Sequence, residues 1–419
     1  MNSASSMMRE WRYLRSDRRF LFWLIVAICL STLSIASGLN EVEQQRQTIT
    51  SLEQIDLEER LAAQAQQQDW GGLAYASFHL TYDAPSDFAF AALGVRDREP
   101  WKHRIRALAL EGQIYERDTG NPVLALTGRF DFAFFAAFVI PLLIIVLFHD
   151  LKQGERNAGR YELLVATSGQ ASAPFLLRAI LMAFLLYLAI LVPLIIGSAR
   201  SGTSSSTLLS AVLALGAYVL FWSSIAYWFS QREANVSAIL GALLGVWVLL
   251  AVVLPTSSKL IIDRAIPVPE GADIQTTQRE SVNSAWDKPK EATMDVFAER
   301  HPEWAEMTQV AGTFEWKWYF AFHQVGDQEA EPLSLAYRAG RQQRDQLANM
   351  AAWLSPPVLL ERTFQSLANT DLEAAMAYET NIRAFHDELR RFYYSKLFPN
   401  APFETKALTA VPEFSGGAE

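Results

Sequence analysis

Residues 132–197 read FAFFAAFVIPLLIIVLFHDLKQGERNAGRYELLVATSGQASAPFLLRAILMAFLLYLAILVPLIIG, two apolar runs joined by a charged loop. The runs, 132–148 and 175–197, are each near the roughly 20 residues a helix needs to cross a bilayer. The loop between them, 149–174, is too polar to follow them in. Three further runs of the same kind lie at 20–38, 208–229 and 238–255. The chain therefore reads as an α-helical polytopic membrane protein with about five transmembrane helices. Two long polar segments, 39–131 and 256–419, stand between and after them.

Composition agrees with this division. The chain is 51% hydrophobic, yet its mean hydropathy is only +0.08, so apolar residues must be concentrated in blocks. A net charge of −9 leaves no broad basic surface for nucleic acid. The single cysteine, Cys29, lies in the first run, which rules out an intrachain disulfide and a Cys₄ metal site. His79, His103, His149, His301, His323 and His386 are scattered singly, without the spacing that puts two metal ligands on one helix face.

Orientation follows from charge. Residues 1–19 carry Arg9, Arg12, Arg15, Arg18 and Arg19 against Glu10 and Asp17, an excess that the positive-inside rule places in the cytoplasm. This start is expected to form a basic interfacial helix on the inner leaflet, with Met7, Met8, Trp11, Tyr13 and Leu14 as candidates for its buried side. Alternation then puts 39–131 outside, 149–174 inside, 198–207 outside, 230–237 inside and 256–419 outside. Lys152, Arg156 and Arg160 in the 149–174 loop agree, and Arg200 in the short outer loop does not. Ser34, Ala36, Ser37 and Gly38 would suit a signal-peptide cleavage site, but the apolar core before them is long for that role, so an uncleaved anchor is expected.

Pro141 and Pro193 fall inside runs two and three. Each removes a helix hydrogen bond, which membrane helices tolerate when a neighbour bonds the freed carbonyl. Gly241 and Gly245 in run five have the G-x-x-x-G spacing of close helix packing, although glycine is common in membrane helices without that role. The cores of the five runs read as free of acids, lysines and arginines, which points to an energy source outside the chain.

Residues 41–66 are rich in Glu, Gln, Leu and Ala with neither Gly nor Pro, and so predict a helix continuing away from the membrane. Val42, Ile49, Leu52 and Ile55 form a weak apolar stripe along it. From Gly71 to Thr127 the alternation of Tyr75, Phe78, Leu80 and Tyr82 and the turns at Pro85, Pro100 and Asn121-Pro122 predict short strands mixed with helix. The first extracytoplasmic domain is thus expected to be mixed α/β. The second, 256–419, reads as mainly α. Within it, Ile382, Phe385, Leu389, Phe392, Tyr393 and Leu397 share one helix face over 380–397. Trp304, Trp316, Trp318, Tyr319, Phe320 and Phe322 suit a helical core better than a ligand surface. Residues 350–360 are too short to cross and contain Pro356 and Pro357.

Enzymatic signatures are missing. There is no G-x-x-x-x-G-K-[ST] loop, and the dipeptide Gly-Lys does not occur, so ATP has no phosphate cradle of that kind here. No G-x-S-x-G elbow or zincin motif is present. The pairs Asp83 and Asp87, and Asp371 and Glu373, read as exposed acids rather than tuned catalytic groups. An enzyme is not expected.

Within the charged loop, Gly154-Glu155-Arg156-Asn157-Ala158-Gly159-Arg160-Tyr161-Glu162-Leu163-Leu164 resembles the E-x-E-x-G-T-x-x-x-L-L signature of permeases of bacterial ABC transporters of the ABC-2 exporter type. Glu155, Gly159 and Leu163-Leu164 match, and Arg160 replaces the common Thr. The order of spans, with Leu110-Glu111-Gly112-Gln113, Asn121-Pro122, 128–132 (GRFDF) and 385–390 (FHDELR), is similar to a branch of that family whose large extracytoplasmic domains have no assigned function. The family commonly has six spans, whereas five are read here.

The resemblance implies that the 149–174 loop couples to a separate cytoplasmic ATPase, with Glu155, Arg156, Gly159, Arg160, Glu162, Leu163 and Leu164 as the coupling residues. ATP and Mg would bind that partner, and this chain would hold no cofactor. Further implied partners are a second copy or a related permease, the bilayer and an envelope or periplasmic protein, at the bacterial inner membrane. The competing reading is a membrane-anchored sensor or scaffold whose outer domains bind a ligand or partner.

Overall fold

A computed structural model describes residues 3–115, 130–168 and 173–416. Among these, five helices are long and apolar enough to cross a membrane: Arg18–Gln66, Phe132–Asn157, Ala173–Ser201, Ser205–Ser230 and Val236–Ala265. They contain the five expected runs and are called here the first to fifth apolar helices. A shorter helix, Ser3–Ser16, precedes them. Asp17 separates it from the first apolar helix and caps the latter by accepting from the amides of Arg19 and Phe20.

The first apolar helix runs unbroken for 49 residues, about 70 Å at 1.5 Å per residue. Its N-terminal half lies in the bundle and its polar half stands clear of it, as the composition of 41–66 predicts. Val42 and Ile49 are buried, while Ile55 is exposed. A Cβ on Gly38 would sit 1.9 Å from the Phe90 carbonyl oxygen, so only glycine lets the 3-10 turn Ala89–Ala91 press against the helix there.

Prolines in the bundle are met by hydroxyls from other elements. Pro141 has no N–H to offer Ala137, and the Tyr218 hydroxyl of the fourth apolar helix donates to the Ala137 carbonyl instead. Beside Pro193, Ser31 Oγ of the first apolar helix donates to Ile190 O at 3.3 Å. Both the second and fifth apolar helices widen into a π turn, at Phe135–Val139 and Leu249–Val253. These are the local adjustments that spread the disturbance of a proline over several residues.

The two polar segments share one hydrophobic core. Trp70, Leu73, Ile105, Leu108 and Ile114 from the first segment pack with Phe297, Trp318, Phe322, Phe385, Leu389 and Tyr393 from the second. The expected division into a mixed α/β domain and a separate α domain is therefore not what the described residues display. Among the described residues the mixed character is limited to one antiparallel pair, His79–Tyr82 with Lys102–Ile105. The second segment is built mainly of helices: Gly271–Ser284, Lys290–Arg300, Trp316–Ala352, Pro356–Leu367 and Leu372–Leu397. On the last helix Ile382, Phe385, Leu389, Tyr393 and Leu397 are buried as the spacing predicts, and Phe392 is half-buried. Trp318, Phe320 and Phe322 lie in the core, with Trp304, Trp316 and Tyr319 packed against it. The Asn121-Pro122 turn and Gly128-Arg129 lie outside the described residues.

Buried ion pairs lock the two segments together. Asp327 accepts from the amides of Leu110 at 2.9 Å and Glu111 at 3.1 Å, and from Arg390 Nη2 at 2.7 Å. Glu111 is held by Arg383 Nε at 2.8 Å and by Ser334 Oγ at 2.8 Å. Arg341 bridges Glu99 and Glu379 at 2.6 and 2.8 Å. None of these pairings is visible in the sequence, because each joins residues more than 35 positions apart.

One piece of the second polar segment returns to the apolar bundle. Leu360, Phe364 and Ala368 belong to the bundle core rather than to the polar one. The helix Pro356–Leu367 packs on the fourth apolar helix and on both π turns. Residues 350–360 thus do not cross, in line with their length, but form the bend of a helical hairpin inserted beside the apolar helices.

Three histidines of the polar core are neutral, His79 and His386 buried and His323 half-buried. Burial, with Arg60 near it, pushes His79 down to about 3, and burial with Arg390 and Arg106 pushes His323 down to about 3. His386 is driven well below its ordinary value by burial and Arg390, and its Nε2 faces the carbonyls of Leu108 and Arg106 at 2.8 and 3.2 Å. The unfolded chain binds protons below pH about 6.5 that the folded one refuses, so stability is full above that value and is lost as pH falls toward 3. Thermal melts of the detergent-solubilised protein should fall from pH 7.5 to pH 5, with His79 and His323 each costing on the order of 1–2 kcal/mol at the lower value and His386 adding in the same direction. His386→Asn should melt with a shallower pH slope, whatever its absolute stability.

Candidate functional site

The charged loop of 149–174 lies at the end of the bundle away from the polar core. A short helix, Gln153–Asn157, extends the second apolar helix, and a second, Tyr161–Ser168, leads toward the third. Between them Gly159 takes a φ of +67°, a left-handed conformation that L side chains avoid. Gly159 N donates to Arg156 O and Arg160 N to Glu155 O, each at 3.0 Å. This C-terminal turn folds Arg160 back over Glu155.

Glu155 is the acid that this turn serves. It is 3% exposed, and its two oxygens accept from Arg160 Nε and Arg178 Nη1, each at 2.7 Å. Arg178 is itself buried, and its Nε donates to Glu10 Oε2 at 2.8 Å. The other Glu10 oxygen accepts from Arg9 Nε at 3.0 Å, and the Tyr13 ring centroid lies 3.8 Å from the Arg178 guanidinium carbon. The result is a chain of ion pairs, buried from Glu10 through Arg178 to Glu155 and ending at the exposed Arg160, joining the N-terminal helix, the third apolar helix and the loop. The bond to Glu155 raises the Arg160 guanidinium above its ordinary value. Each oxygen of the two acids has a cationic donor, the condition under which charges persist in a low-dielectric interior.

Arg178 corrects the expectation that the apolar runs carry no charge. It falls inside the third run as bounded at 175–197, one turn from its start, and is 5% exposed. A cation at that depth next to Pro174 is a signal in the sequence, but its partners Glu10 and Glu155 lie 168 and 23 residues away. Glu10, counted by composition only as an offset to the arginines, is 1% exposed.

The remaining candidate residues divide into anchors and a surface. Arg156 pairs with Glu233 at 3.2 Å and lies 4.6 Å from the Tyr161 ring centroid. That ring stacks on Phe175 at 5.9 Å. Lys152 Nζ and Gln153 Nε2 donate to Gln231 O and Arg232 O at 3.1 and 2.8 Å, tying the loop to the next one. Leu164 is half-buried against the bundle core, whereas Glu162 is exposed and Leu163 is 67% exposed. The Leu163-Leu164 pair is thus split, one side chain inward and one outward. On the N-terminal helix Leu14 is buried and Tyr13 packs on the bundle, while Met7, Met8 and Trp11 face outward. The buried side expected of Met7, Met8, Trp11, Tyr13 and Leu14 together is therefore divided between protein and exterior.

Elsewhere, a Cβ on Gly241 or Gly245 would meet nothing within 4 Å, so among the described residues no helix packs on that face. Asp83 pairs with Arg96, and Asp87 pairs with Arg46 at 2.8 Å. Asp371 caps the helix Leu372–Leu397 through the Ala374 amide. These acids serve structure.

Residues 272–415 match the family model described as a domain of unknown function, DUF3526. No curated protein and no solved structure matches the chain.

Replacing Arg178 with Ala strands Glu10 and Glu155 in the interior without their shared cation. The loss should be about 3–5 kcal/mol, read as a lower melting temperature in detergent. Arg178→Lys should fall between that variant and the parent, because an ammonium keeps the charge but not the two-pronged geometry. A double change of Glu155→Gln with Arg160→Gln should cost less than Arg178→Ala alone.

Proposed function

We propose that this chain is the transmembrane permease subunit of an ATP-driven transporter of ABC-2 type, an exporter or an envelope-remodelling machine, coupled to a separate ATPase through the 149–174 loop. The observation that carries this reading is the Glu10–Arg178–Glu155–Arg160 chain of ion pairs, buried in all but Arg160. A loop that only connected two helices would have no need of it. Pinning the loop to the N-terminal helix and to the third apolar helix makes the three move as one body, so a push on the loop is delivered to the bundle. Glu155 and Gly159, which match the signature, and Arg160, which stands where the signature has Thr, build the joint.

In this reading the exposed Glu162 and Leu163 meet a cleft of the ATPase, the acid contributing charge complementarity and the leucine an apolar ridge. The N-terminus and the loop are cytoplasmic at a bacterial inner membrane, Met7, Met8 and Trp11 rest in the inner leaflet, and the polar core is extracytoplasmic. A second permease copy approaches the open Gly241 and Gly245 face. ATP and Mg bind the partner. Binding of ATP draws two loops together and shifts the helices between two states, driven by the difference in affinity for each.

Affinity purification of the chain from its native membrane should bring down an ATPase whose activity depends on the permease. Leu163→Asp and Glu162→Lys should abolish its recovery while leaving the melting temperature unchanged, because both side chains point outward. Recovery of no ATPase at all would sink the reading in favour of a membrane-anchored sensor or scaffold. A reporter fused after Glu419 should be active only outside the cytoplasm.

A further inference from the structure

We infer that the domain of unknown function carries a re-entrant membrane hairpin, whose apex at Met350, Trp353 and Leu354 is buried in lipid acyl chains beside the fifth apolar helix. The inference does not rest on the transporter reading.

The hairpin is made of the end of the helix Trp316–Ala352, a three-residue bend and the helix Pro356–Leu367. Its level relative to the bundle is set at two points. Near its C-terminal end the Phe364 ring is 5.7 Å from that of Phe132, the first residue of the second apolar helix. At the bend, Ser355 Oγ donates to Leu250 O at 2.7 Å, within the apolar run of the fifth helix. The nine residue steps from Ser355 to Phe364 rise about 13 Å. Against a hydrocarbon core of roughly 30 Å, the apex enters less than halfway and turns back.

The Leu250 bond has a specific cause. In the π turn of the fifth helix the Leu254 amide is committed to Leu249 O, and the next residue, Pro255, has no amide to give. The Leu250 carbonyl is left without a helical donor, and the Ser355 hydroxyl supplies one.

The bend is also built as hydrocarbon requires, with its amides satisfied internally. The amides of Trp353, Leu354 and Ser355 bond to the carbonyls of Met350, Ala351 and Ala352. Pro356 and Pro357 have no amide to leave bare at a helix start. The Val358 amide reaches Ser355 Oγ at 3.5 Å and the Leu359 amide reaches Ser355 O at 2.9 Å. A bend in water has no such need, since water bonds to exposed amides.

The side chains at the apex point away from the bundle. Met350 is 68% exposed, Trp353 75% and Leu354 63%. At the same level of the fifth helix Leu249, Val252 and Val253 also face outward. This continuity with the lipid-facing surface of an apolar helix identifies the occupant as acyl chains. No ionisable residue lies between Met350 and Leu360.

The test is a nitroxide attached at Leu354→Cys in a Cys29→Ala background, in the full chain reconstituted in phosphatidylcholine and phosphatidylglycerol vesicles. Leu249→Cys supplies the lipid reference and Val296→Cys, on an exposed face of the polar core, the aqueous one. The apex label should collide with oxygen and lose collision with a polar nickel chelate, as the Leu249 label does. A label as accessible to nickel as that at Val296 overturns the proposal. So does a label shielded from both reagents, and dipolar broadening would then identify a second copy of the chain as the occupant. Trp353→Cys provides the same readout should Leu354→Cys not fold.

Discussion

Hydrocarbon offers no hydrogen-bond partner, and nearly every unusual feature of this chain is a response to that constraint. A helix satisfies its own backbone, so the apolar runs are helical. Wherever a proline breaks the pattern, a hydroxyl from elsewhere repairs it or sits beside the break. Tyr218 does so for Ala137 below Pro141, Ser355 for Leu250 below Pro255, and Ser31 bonds Ile190 beside Pro193. Each such bond joins two elements, so the prolines hold the bundle together as much as they bend it.

The same constraint governs Arg178. A guanidinium near the end of an apolar helix is costly unless its charge and its N–H donors are met, and meeting them draws in Glu155 from the loop and Glu10 from the N-terminal helix. The geometry that results gives the loop its rigidity. Gly159 contributes through its left-handed backbone, which returns Arg160 to Glu155. Outward side chains such as Leu163 are then presented from a fixed base.

Outside the bundle the governing quantity is core size. Among its described residues beyond the first apolar helix, the first polar segment offers one strand pair and a few short helices, too little to bury Trp70, Ile105 and Leu108 by itself. These residues find cover only against the helices of the second segment. Ion pairs such as Arg383 with Glu111 and Arg341 with Glu99 cross the same boundary. The half of the first helix beyond the bundle, the polar core and the hairpin are thus mechanically continuous.

By itself the sequence determined the five apolar helices, the helical continuation through Gln66, the apolar face of the helix ending at Leu397 and the position of the charged loop, because each rests on local hydropathy or periodicity. Gly159 and the outward Leu163 were legible as members of a motif. Tertiary structure alone decided that the two polar segments share a core, that Arg178 joins Glu10 to Glu155, and that the stretch around Pro356 and Pro357 returns to the bundle. Those outcomes depend on which buried polar group lies opposite which. That pairing is set by three-dimensional packing between residues as far as 272 positions apart, and it leaves no periodic trace along the chain.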